Sequence, residues 1–140
     1  MVSARTISIA AVALAAALAP ASGVAGSQSL RDLRAQDADD RALAREAAYT
    51  SEVCGRPIAA SIDWASAKTW PADQSLVDAC DGALAAVETI CRAGRKNVVH
   101  QFVCAGDGSG SSLAGKTLRY GASPGGNGYA ATLATIGAAE

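Results

Sequence analysis

The four cysteines, Cys54, Cys80, Cys91 and Cys104, are the residues whose type and spacing most directly imply chemistry. Behind an export signal such thiols are read as disulfides rather than as nucleophiles or metal ligands. Three pairings are open to four cysteines. Cys80 and Cys91 lie on one helical stretch, about 16 Å apart along its axis at roughly 1.5 Å per residue. Bridged Cα atoms are only about 4.4 to 6.8 Å apart, so these two cannot bond to each other. A strand packed antiparallel to that helix begins beside the helix end, and the next strand returns along the helix to its start. The expected bridges are therefore Cys54 with Cys91 and Cys80 with Cys104.

Other constellations imply less. Gly110 to Thr117 reads GSSLAGKT and fits the G-x-x-x-x-G-K-[ST] phosphate-loop pattern. That motif needs a helix starting at the lysine, so that backbone N–H groups and the helix N-terminus meet the phosphates. The residues after Lys116 alternate through Leu118 and Tyr120 and then meet Gly121 and Pro124, which reads as strand and turn. No nucleotide is expected to bind. Asp107 to Gly110 lacks the further oxygen ligands and closing Glu of a calcium loop.

His100 is the only histidine, placed by alternation between Val98 and Phe102 on an inward strand face, where a hydrogen-bonded core role is expected. As a general base it would need a placed nucleophile and an orienting group. Asp63, Asp73, Asp78 and Asp81 cluster in sequence without selecting a catalytic pair. No cofactor or metal is expected. Trp64 and Trp70 remain as candidates for a contact surface, since an indole combines a large apolar area with one donor. Trp64 falls on the inward face of a strand. Trp70, just before Pro71, is the residue assigned to binding.

These residues must be positioned by what remains after a leader is removed. Residues 1–25 carry one positive charge at Arg5, an apolar stretch from Thr6 to Leu18 and small residues beyond, the pattern of a cleaved secretory signal. The run is rich in alanine and too short for a membrane span, so no stable membrane anchor is expected after cleavage. Of the 12 basic side chains only Arg5 leaves with the leader, so 11 face 13 acidic ones and the net charge is near −2. That balance argues against nucleic acid or an anionic membrane as partner. About 115 residues form one domain, and so few aromatics imply a thin core that leans on cross-links.

Residues 26–39 are read as a charged, flexible lead, despite Ser29 and Asp32 at capping-box spacing. A helix is expected from about Asp40 to Val53, a strand from Pro57 to Trp64 and a loop over Ala65–Gln74. Ser75 to Arg92 is an amphipathic helix with Leu76, Cys80, Leu84, Val87 and Cys91 on one face. A central strand over Asn97–Cys104, a flexible glycine-rich loop over Ala105–Gly115, a strand over Lys116–Ala122 and a last helix capped by Asn127 complete residues 40–140. The fold class is α+β: a small antiparallel or mixed sheet of about three strands covered by helices and stapled by two disulfides. The function this implies is a secreted or periplasmic, non-enzymatic binding or inhibitory module that meets a protein or envelope partner. Two alternatives are a small cell-envelope hydrolase using His100 and a structural envelope component.

Overall fold

The structure is a computed structural model describing residues 28–139, so the leader expected at 1–25 and the opening of the lead lie outside the described residues. The described residues form three helices, α1 (Leu30–Cys54), α2 (Leu76–Arg92) and α3 (Tyr129–Gly137), and four strands, β1 (Ala59–Asp63), β2 (Gln101–Ala105), β3 (Gly110–Ala114) and β4 (Thr117–Gly121), in the chain order α1-β1-α2-β2-β3-β4-α3. The sheet is mixed, in the order β1-β2-β4-β3: β1, β2 and β4 run parallel, and β3 is antiparallel to β4. The helices form one layer, α1 over β1, α2 over β2 and α3 over β3. Phe102, Cys104, Leu118 and Tyr120 point from the sheet into this layer, where Leu43, Leu76, Leu84, Val87 and Ile136 meet them. This is the α+β class, with the disulfides Cys54–Cys91 and Cys80–Cys104 at sequence separations of 37 and 24.

Three expectations are corrected. The lead is helical from Leu30, ten residues before the expected start, because the Ser29–Asp32 capping box forms in both directions and supplies the first turn. Leu30 and Leu33 stay exposed, so this extension rests on local capping and the Arg41–Asp37 ion pair rather than on the core. The glycine-rich segment after Ala105 is not all loop, since Gly110–Ala114 forms β3, a fourth strand. Its hairpin to β4 turns on two residues, with Gly115 at φ 60° in the first central place, where only glycine is unstrained.

The third correction concerns His100. The N–H groups of His100 and Gln101 both donate to the Lys116 carbonyl, so the alternation slips by one residue where β2 begins. Val99 takes the buried place, and His100 is half-buried at the foot of the strand. The two helix ends before and after β1 behave as read: α1 stops at Gly55, which takes φ 68°, and α2 starts at Ser75, whose hydroxyl accepts from the Asp78 N–H. At about 1.5 Å per residue α1 is roughly 37 Å long, about twice a five-residue strand. Its N-terminal half overhangs the sheet.

Candidate functional site

Beneath that overhang the chain leaves β1 and makes a 3-10 turn at Trp64–Ala67 before reaching Trp70 and α2. Asp63 sets the turn, its carboxylate accepting from the Ser66 N–H at 3.3 Å and its carbonyl from the Ser66 hydroxyl at 2.7 Å. The Ser66 hydroxyl also accepts from the Gly106 N–H at 3.0 Å, tying the turn to the end of β2. Arg119 of β4 clamps the arrangement from the open side of the sheet. Its guanidinium reaches Asp107 at 2.7 Å and Asp63 at 3.3 Å, and donates to the Ser109 hydroxyl at 2.8 Å. Hydrogen bonds from Arg119 and Ser109 hold the Asp107 carboxyl far below the ordinary carboxylate range. Every charged member of this cluster is matched within it, and its effect is to fix where the tryptophans stand.

Trp64 donates its indole N–H to the Asp40 carboxylate of α1 at 3.2 Å, and Trp70 donates its own to the Gln74 carbonyl at 2.9 Å. With both donors engaged internally, what each indole offers outward is carbon surface. Trp70 lies over Gly106, its Cε3 3.4 Å from where a Cβ there would stand. The two rings, with Asp39, Ala67, Pro71 and Leu76, line a cleft of about 170 Å³. A second cleft of about 320 Å³ borders Trp64 and runs beneath the first turns of α1 past Asp32, Gln36 and Lys68. Asp39 is half-buried in the first cleft. Burial raises its pKa, and the like charges of Asp40 and Asp78 raise it further.

The structure thus brings Trp64 and Trp70 together, and adds Asp39, which the sequence reading did not single out. Trp64, expected in the core, packs against it from the rim and borders both clefts. A continuous α1 from the Ser29 cap would have placed Gln36, Asp39 and Leu43 on one helical face, and that is the signal that points to Asp39.

His100 stands at the other end of β2 from Gly106. Its Nε2 meets the Asn97 side-chain oxygen at 2.6 Å, Asn97 also receives the Arg56 guanidinium, and no carboxylate or serine joins them among the described residues. Partial desolvation and the charges of Arg56 and Lys116 lower its pKa. The Gly110–Thr117 segment is strand, two-residue turn and strand, and the residue after Lys116 begins β4 rather than a helix. Among the described residues no group of three His, Cys, Asp or Glu side chains is placed to hold a metal ion, and no helix is long and apolar enough to cross a membrane. The two disulfides are compatible with an oxidising compartment. Comparison with protein-family models, with curated proteins and with solved structures gives no match for this chain.

Proposed function

We propose that this chain is a secreted or periplasmic, non-enzymatic binding module whose contact surface is the cleft between the overhanging half of α1 and the Trp64–Trp70 segment. One observation carries the reading: two indoles, each fixed by an internal hydrogen bond, present carbon surface to an open cleft. Aromatic side chains held in this way bury large area at low entropic cost, which is why they anchor interfaces. The Asp63–Arg119–Asp107 clamp and the Ser66–Gly106 hydrogen bond keep the cleft pre-organised. The leader pattern at 1–25 and the paired cysteines support export.

Capture from an envelope extract of the source cells tests this, using wild type, Trp70→Ala and the remote Lys116→Ala as baits after circular dichroism has shown each to be folded. The expected partner is retained by wild type and Lys116→Ala and lost with Trp70→Ala. A partner that stays on Trp70→Ala places the contact surface elsewhere.

A further inference from the structure

Asp39 lines the tryptophan cleft and has no hydrogen-bond or ion-pair partner among the described residues. Its charged neighbours, Asp40 on the same helix and Asp78 at the start of α2, are both like charges. Asp40 is engaged by the Trp64 N–H, and the Asp78 backbone N–H is taken by Ser75. A half-buried carboxylate in such a setting lacks the counter-charge that buried charges ordinarily find within the fold. The rest of the wall has the chemistry of a cation's surroundings. Trp64 and Trp70 offer ring surface, whose quadrupole attracts a cation, while Ala67, Pro71 and Leu76 offer apolar contact for a methylene stem. The volume of about 170 Å³ suits a side-chain head rather than a whole metabolite.

We infer that this cleft takes the cationic end of an arginine or lysine side chain presented by a partner protein, with Asp39 as counter-ion and Trp64 and Trp70 as walls. The inference rests on the proposed binding function and names the chemistry of its ligand. A guanidinium or ammonium supplies the donors that Asp39 lacks, and its stem lies along Pro71 and Leu76. A neutral polar side chain of the same shape can still hydrogen-bond to Asp39 and Gln74, but it loses the attraction that the carboxylate and the two ring faces exert on a positive charge.

The test titrates the protein with three capped tripeptides, Gly-Arg-Gly, Gly-Lys-Gly and Gly-citrulline-Gly, and follows the indole N–H signals of Trp64 and Trp70 by two-dimensional NMR. The arginine and lysine peptides are expected to shift both signals saturably, with the citrulline peptide at least roughly tenfold weaker. Asp39→Asn, with a spectrum showing an intact fold, is expected to bring the arginine peptide down to the citrulline level. Equal binding of arginine and citrulline, or no shift of either indole by any peptide, overturns the cation assignment. A captured partner held at wild-type strength by Asp39→Asn but lost with Trp70→Ala also overturns it while leaving the cleft as the contact surface. Retention by Trp70→Ala removes the cleft reading itself.

Discussion

Gly82 of α2 packs so closely against the backbone of Asn127 that a Cβ at that position would overlap the Asn127 carbonyl oxygen. In an exposed helix interior, glycine is worse than alanine by about 1 kcal/mol. Here the missing side chain is what lets the segment leading into α3 close over α2. Gly82→Ala is therefore expected to destabilise the fold by about 2 kcal/mol through overpacking, lowering Tm by several degrees. Gly137→Ala, near the end of α3 with open space around it, serves as the contrast and is expected to change Tm little. Equal melting of the two variants would contradict the close approach.

Thr132 of α3 is fully buried, yet its hydroxyl oxygen finds no hydrogen-bond partner among the described residues. An unsatisfied buried hydroxyl costs about 1 to 3 kcal/mol, and replacing it with an apolar group of the same shape removes that cost. Thr132→Val is expected to raise unfolding free energy by about 1 kcal/mol. Thr50, equally buried, has two acceptors within reach of its single hydroxyl proton, the Glu88 carboxylate at 2.8 Å and the Glu46 carbonyl at 3.1 Å. Thr50→Val should lose stability instead. Urea unfolding of both variants checks the opposite signs.

The disulfides close segments of 37 and 24 residues. In the chain-entropy model each restricts the unfolded state by about 3 to 4 kcal/mol, the longer by about 0.4 kcal/mol more. Replacing both cysteines of either pair by alanine is expected to cost this much, with the Cys54–Cys91 variant the less stable. Peptide mapping without reduction is expected to recover Cys54 linked to Cys91 and Cys80 linked to Cys104, and recovery of Cys54 linked to Cys80 would overturn the topology.

That pairing was legible in sequence because one helix acts as a ruler: the spacing of Cys80 and Cys91 on α2 forbids their union, and short connections decide the rest. The helical extension was legible too, in Ser29 and Asp32, but the broken stripe of Leu30 and Leu33 argued against a buried face. Local capping decided it without one. β3 carries few β-formers, and its sequence signal is the glycine of the Gly115–Lys116 turn between two short runs. The slip at His100 has no sequence signal, since it depends on two N–H groups finding the Lys116 carbonyl. The tryptophan cleft joins α1, the segment from Trp64 to Leu76, and Gly106, which lie far apart in the chain. The sequence offers both tryptophans as candidates but its alternation puts Trp64 in the core and leaves Trp70 for binding, and packing was needed to bring Asp39 and Trp64 to the same cleft.

Glu46 of α1 and Asp81 of α2 meet carboxyl to carboxyl across the helix layer. Partial loss of hydration where α1 meets α2 raises the pKa of Glu46 above its ordinary 4.5 although the residue stays largely exposed; the Asp81 charge and hydrogen bond add to this, Glu88 contributes, and Arg45 opposes. A carboxyl with a raised folded pKa binds its proton more tightly in the folded state. Its contribution to stability is therefore full below the ordinary value and is lost as pH rises through the folded one. Asp107 has the opposite sign. Arg119 and Ser109 depress it below its ordinary 3.8, so its contribution is present above that value and is lost as pH falls toward the folded one. Asp81→Asn is accordingly expected to raise Tm by about one to a few degrees at neutral pH, modest because both groups are well solvated. The gain should vanish well below pH 4.5, where the Glu46 carboxyl is protonated in the folded and the unfolded state alike. Asp107→Asn is expected to lower Tm at neutral pH, a deficit that shrinks only as the solution becomes strongly acidic. Calorimetric melts of wild type and both variants across this range separate the signs, and an Asp81→Asn protein less stable than wild type at neutral pH would show that the contact is favourable rather than repulsive.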